Sequence, residues 1–250
     1  MHSYIFYGVV LPERAQLSHS FPIEFSHSGK TGLHKAHISI ILNQIVVWID
    51  SEHVWDIFDL RNTVKNIVQG NLAIVGYALG HAYDIEITRV LSLARDIDYV
   101  FGIDIPCISE RNRNSNPGET VLRLREKCIG ETGVFIRRCL NDLNSAMKHA
   151  EDTGFYCYRA IESLRHHCAL AHGLTERNKT EQWEKFREIG NIDKDSIMLI
   201  KAAADPTRHG QPFEIAGGDR AKLFTVTWGV VDAYLNLSQP PDCTHQFKLF

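Results

Sequence analysis

Apolar and polar positions alternate along the first third of the chain in short β-type runs. "SYIFYGVVL" (3–11), "FPIEFS" (21–26) and "KAHISIILNQIVVWI" (35–49) carry the β-branched and aromatic residues of strands. The last run is long enough for a hairpin, with Asn43-Gln44 as its expected turn. The period then changes to helical. Asp56 is placed to cap a helix, and Ile57, Leu60, Val64, Ile67, Leu72 and Val75 recur closely enough to give one apolar face. "HAYDIEITRVLSL" (81–93) and "IDYVFGIDI" (97–105) return to near-alternation and predict two further strands. One helix lying across an antiparallel sheet buries all of these faces.

Residues 109–120, "SERNRNSNPGET", are polar and Asn-rich and contain Pro-Gly. They read as a linker between a β-rich domain, 1–108, and a helical bundle, 121–238, with a tail at 239–250. Within the bundle Phe135, Cys139, Leu143 and Ala146 stripe one helix. Cys157, Ile161, Leu164, Cys168 and Ala171 stripe a second, stopped by Gly173. "EQWEKFREIG" is a third, and "DKDSIMLIKAAA" a fourth that Pro206 should stop, since proline lacks an N–H. Residues 219–237 form a fifth, with Leu223, Val226, Val230 and Tyr234 on one side. The fold class is α+β: a β-rich N-terminal part with one packed helix, followed by an all-α bundle.

Composition narrows the function classes. Among 250 residues, 44% are hydrophobic and 23% charged, an ordinary globular balance. A net charge of −3 argues against coating nucleic acid through bulk charge, though not against a local basic groove. Six scattered cysteines with no C-x-x-C pair read as reduced thiols, and no apolar run is long enough to span a bilayer, so a cytoplasmic protein is expected. No cofactor fingerprint occurs. "HHCALAH" lacks the spacing of a zinc site, and "HSGKTGLHK" (Gly29, Lys30, Gly32) lacks the upstream glycine of a phosphate loop, so it reads as a turn.

The candidate chemistry gathers on the second bundle helix. Arg159, Glu162 and His166 fall at i, i+3 and i+7, within about 60° of one another around the axis. Glu162, Arg165 and His172 lie on an adjacent row. Arg208, His209 and Gly210 follow the proline-bearing helix. Two readings stand side by side. Either Arg159 and Glu162 sit on a solvated face, or they point inward and meet Arg208 and His209. The Arg-His-Gly turn is correspondingly either a buried clamp or a phosphate-binding site.

"YRAIESLR", a short Trp-containing helix and "IKAAADPTRHG", in that order, resemble the HEPN-type helical domains of bacterial defence and toxin–antitoxin proteins, over residues ~130–238. They are especially similar to helical modules encoded in mobile genetic elements. The resemblance implies a helical bundle that pairs as a homodimer, a protein partner encoded nearby, and RNA as a target. It also implies metal-free RNA cleavage, by an arginine followed, after four to six residues, by a histidine. The arginine would stabilise phosphate charge and the histidine would move a proton. Arg165…His172, Arg159…His166 and Arg14…His19 have that spacing, whereas Arg208 is followed directly by His209. The implied catalytic set is Arg159, Glu162, Arg165, His166, His172, Arg208 and His209, with no metal and no cofactor. The alternative is a non-catalytic interaction or sensor module that binds a partner protein or nucleic acid.

Overall fold

The computed structural model describes residues 2–27, 30–113, 115–175, 177–211 and 215–237. The expected tail at 239–250, together with Gly29 and Cys243, lies outside the described residues. The architecture is mixed α+β, and the chain divides into two compact units, Met1–Ile103 and Asp104–Phe250.

The first unit contains strands β1 (His2–Leu11), β2 (His19–His27), β3 (Lys30–Ile41), β4 (Gln44–Ser51), β5 (Asp84–Ser92) and β6 (Ile97–Val100), with helix α1 (Ile57–Leu79) between β4 and β5. The strands form one sheet in the order β2-β3-β4-β1-β5-β6, all neighbours antiparallel. Alternation sends Tyr4, Phe6, Ile38, Val47, Ile49 and Ile87 to one face, where they bury against Leu60, Val64, Val68 and Leu72 of α1. Each such side chain contributes about 1.5–3 kcal/mol on burial. Asp56 caps α1, accepting from the N–H groups of Phe58 and Asp59 at 2.9 and 3.0 Å.

Two details depart from the sequence reading. The hairpin turns at Leu42-Asn43, both at positive φ (48° and 69°), while Gln44 already belongs to β4. Asn tolerates the left-handed region, and its buried side chain ties the turn down by donating to the Glu13 carbonyl at 2.7 Å. On α1 the buried row runs through Val68 and Gly76, so Ile57, Ile67 and Val75 only flank it.

The second unit is helical: α2 (Pro106–Arg111), α3 (Pro117–Lys127), α4 (Gly133–Lys148), α5 (Thr153–Ala171), α6 (Lys179–Gly190), α7 (Lys194–Arg208) and α8 (Gly217–Leu235). The five helices expected are α4–α8. Residues 109–120 are not a bare linker, because they hold the end of α2 and the start of α3. Proline at the first position of each helix removes an N–H that has no intrahelical acceptor there, and Asn116 caps α3. Ile108 is buried in the helical core, and Arg111 pairs with Asp232 of α8, so the unit begins earlier than 121.

Cys139, Leu143 and Ala146 of α4 and Cys157, Ile161, Leu164 and Cys168 of α5 are buried as expected. Ile136 replaces Phe135 at the core of α4, and Ala171 is exposed. Pro206 does not stop α7, which continues to Arg208. So near the C-terminus its missing N–H removes a single backbone bond. The stop comes two residues later. Gly210 adopts φ 72°, and Gln211 N–H reaches Pro206 O at 3.0 Å while Gly210 N–H reaches Thr207 O at 3.1 Å, a Schellman closure.

Candidate functional site

The α4–α5 pair positions most of the candidate side chains. The two helices run antiparallel, with Phe135 stacked on His166 at 6.0 Å between ring centroids and Asp142 meeting Arg159 farther along. Arg159 Nε donates to Asp142 Oδ1 at 2.9 Å, and Nη2 donates to the same oxygen. The guanidinium also lies over the rings of Phe155 and Tyr156, at 5.1 and 5.0 Å. The hydrogen bond to Asp142 holds Arg159 above its ordinary pKa. Asp142 is buried within the apolar stripe of α4, so its charge needs this partner.

Arg165 points the other way, toward α6. It is 3% exposed, and its guanidinium sits 5.1 Å from the centre of the Trp183 ring. Its Nη2 lies 2.8 Å from His166 Nε2. Arginine can only donate, so that imidazole nitrogen accepts and the ring proton resides on Nδ1. The buried Nε of Arg165 has no hydrogen-bond partner among the described residues.

Tyr158 lies at the centre of a second group. Its ring is buried, stacks on Trp183 at 6.3 Å with 29° between planes, and carries the Arg208 guanidinium at 4.9 Å. Burial pushes the Tyr158 hydroxyl up, the Glu162 charge pushes it further, and Arg208 and Arg165 pull it back. Glu162 is half-buried and makes no ion pair within 4.0 Å among the described residues. Arg208 instead reaches Asp205 of its own helix at 3.4 Å.

The expected Glu162–Arg159–Arg208 clamp is therefore replaced by two others: Asp142–Arg159, and an Arg208–Tyr158–Trp183–Arg165 arrangement of cations and rings. Arg165 and His172 are seven residues apart, about 10 Å along the axis. The first is buried, and the second is exposed at the C-cap of α5. Arg159 and His166 have the same separation, each on its own aromatic contact. His209 is the exposed C-cap of α7. Arg14 and His19 belong to the other unit, both exposed. The contact seen between these candidates among the described residues is that of Arg165 with His166, adjacent in sequence.

In "HHCALAH", His167 Nδ1 and the Tyr234 hydroxyl of α8 lie 2.7 Å apart. Burial lowers the His167 pKa, helped by Lys127 and His172, which favours the neutral ring in this contact. Among the described residues no group of three or more His, Cys, Asp or Glu side chains could hold a metal ion. Sequence reasoning passed over Asp142, Tyr158, Trp183 and Tyr234. The available signal for Asp142 was a carboxylate three residues from Cys139 on an otherwise apolar stripe.

A β-sheet unit with one helix, followed by a helical bundle whose basic side chains are tied to rings and carboxylates, defines a two-unit α+β protein. Residues 4–101 match the profile of the N-terminal domain of a domain of unknown function (DUF8168), and residues 121–239 match the profile of its C-terminal domain. Together, in this order, the two profiles span most of the chain, which belongs to the DUF8168 family. No curated protein and no solved structure matches the chain.

Proposed function

We propose that this is a HEPN-like binding protein that does not itself cut RNA, its bundle serving as an interaction module for a partner protein or nucleic acid. One observation carries the reading: each candidate arginine of the bundle is already engaged inside its own unit. Arg159 is held by Asp142, Arg165 by Trp183 and His166, and Arg208 by Tyr158 and Asp205. An arginine that stabilises a transferring phosphate must present its fork to the ligand, and these forks face rings and carboxylates. The bundle acts as a homodimer in the cytoplasm, alongside a partner encoded nearby. Cys107, Cys128, Cys139, Cys157 and Cys168 are free thiols, with Cys157 pushed up to about 12 by burial, which suits a reducing compartment. Among the described residues no helix is long and apolar enough to cross a membrane.

The second reading is a metal-independent endoribonuclease of a defence system. The contact between Arg165 and the exposed His166 favours it, since there a guanidinium and an imidazole meet. Incubating purified protein with a mixed RNA pool in EDTA separates the two. Intact RNA, together with a two-fold mass in light scattering, supports the binding module. Cleavage that disappears in His166→Ala or His172→Ala, but not in His81→Ala, would replace it with the nuclease.

A further inference from the structure

The sheet unit concentrates basic groups around one buried indole. Trp55 is 2% exposed, and its Nε1–H donates to Ser51 Oγ at 3.0 Å. The His27 ring meets it edge-on at 4.9 Å and the His34 ring at 5.1 Å, while Lys30 Nζ lies over it at 5.7 Å. His53 packs on His34 at 5.6 Å, and Arg95 Nη1 donates to the Trp55 carbonyl at 2.9 Å. Five basic side chains thus converge on one end of the sheet. Their unit has the opposite balance, with 7 Lys and Arg against 10 Asp and Glu in residues 1–103.

The acceptors seen for Lys30, Arg95 and His53 among the described residues are neutral oxygens. Lys30 donates to the Val54 carbonyl at 3.2 Å, and Arg95 to the Trp55 carbonyl and, at 3.3 Å, to the Tyr4 hydroxyl. His53 Nε2 pairs with the Thr31 carbonyl at 3.0 Å, so this nitrogen carries a proton. The floor of the cluster is His34, 5% exposed, whose Nε2 is buried without a hydrogen-bond partner. A buried polar nitrogen left unpaired costs about 1–3 kcal/mol, so its persistence calls for a compensating group. The rim, by contrast, is half-exposed at His27, Lys30, His53 and Arg95, which leaves an approach from solvent.

We propose that this cluster is an oxyanion site for a phosphate group, with His34 at its base and His27, His53 and Lys30 at its mouth. It lies in the sheet unit and stands apart from the reading of the helical bundle. A phosphate supplies the acceptor that His34 Nε2 lacks, and an anionic oxygen beside the neutral carbonyls that Lys30 and His53 meet. It also supplies the negative charge that lets several neighbouring imidazoles protonate together. Without it, burial lowers the His34 pKa, and His53, His27 and Lys30 lower it further. Among the described residues, the charged or titratable groups that act on His34 all lower its pKa. Anion binding reverses that repulsion and takes up protons, so affinity rises as pH falls through the histidine range.

Titration calorimetry on the full chain with inorganic phosphate tests this at pH 6.0 and 8.0, in buffers of different ionisation heat. The expected result is binding about tenfold tighter at the lower pH with uptake of roughly one proton. Lys30→Met and His53→Gln should each weaken it at pH 6.0, and His81→Gln should not. Because His34→Gln removes a core ring, its folding is checked by circular dichroism, and the two rim variants keep the test decisive if it fails. Matched oligonucleotides with 5′-phosphate or 5′-hydroxyl ends distinguish the source. Preference for the phosphorylated strand over inorganic phosphate assigns a nucleic-acid terminus, and no preference assigns free phosphate. Absence of phosphate binding at both pH values, or binding indifferent to pH and to both rim variants, overturns the site.

Discussion

Replacing Gly154 by alanine should destabilise the helical unit, although the same exchange inside most helices is favourable. Gly154 lies in the first turn of α5, where the helix passes against α7. A Cβ built there would stand 2.2 Å from the Ala203 carbonyl oxygen, 2.6 Å from its carbon and 3.1 Å from Ala204 N. All three are backbone atoms of a helix whose neighbours Ile200 and Ala204 are fully buried, so no flexible side chain can give way. Restoring ordinary contact requires α5 and α7 to part by about 1 Å, and overpacking of this kind costs about 1–3 kcal/mol, more where backbone must move. The gain from removing a helical glycine, at most about 1 kcal/mol, does not offset it. A urea titration followed by circular dichroism should show a lowered midpoint at unchanged slope, or thermal melting about 2–4 °C lower per kcal/mol lost. Gly70 of α1 is the internal control. It is exposed and a Cβ added to it would meet nothing within 4 Å, so Gly70→Ala should raise the stability of the sheet unit by roughly 0.5–1 kcal/mol. A Gly154→Ala midpoint at or above that of the parent would refute the close α5–α7 approach.

Glu162→Gln should lower the Tyr158 pKa, because the Glu162 charge is the largest influence after burial opposing the phenolate; absorbance titration near 295 nm reads the shift. With no ion pair to lose, the same variant should cost less than about 1 kcal/mol of stability in a denaturant titration, not the larger loss that a buried pair would predict. His34 has a folded pKa below its unfolded value, so the unfolded chain binds more protons in acid. In phosphate-free buffer the stability of the sheet unit is complete above the unfolded value near 6.5. It falls as pH drops from there through the folded value, and His34→Phe should flatten that dependence.

The sheet and helices were legible because their signals are local. Alternation in β1 and β3–β5, the Asp56 cap and the α4 and α5 stripes each follow from spacing alone. Composition misled at 109–120, where the residues that look like a linker, Asn116, Pro117 and Gly118, form a helix start. Proline misled at 206 for a related reason. Near a C-terminus it costs one hydrogen bond, and the true stop is the positive φ of Gly210. The site was legible only as a list of residue types. Periodicity placed Arg159, Glu162 and His166 on one side of α5, but cannot say which neighbour each side chain meets. Asp142, seventeen residues away, took Arg159, and the rings of Trp183 and Tyr158 took Arg165 and Arg208. Long-range pairings of this kind depend on how α4, α6 and α7 pack around α5, which no window of sequence contains. The Trp55 cluster was hidden in the same way, its members spread from His27 to Arg95.

Whether the basic residues of the bundle are fastened by their own unit is decided by a double-mutant cycle on Arg159 and Asp142. Arg159→Met, Asp142→Asn and the double variant are compared by urea denaturation. Asp142 is buried while the Arg159 side chain is 48% exposed, so solvent screens part of the attraction. The expected coupling energy is about 0.5–1.5 kcal/mol, with Asp142→Asn the costlier single change, because the amide loses the charge that holds the guanidinium and buries an NH2 in place of Oδ2. Additive effects within about 0.3 kcal/mol would show that Arg159 is not held by Asp142 and would return it to the groups available for a phosphate.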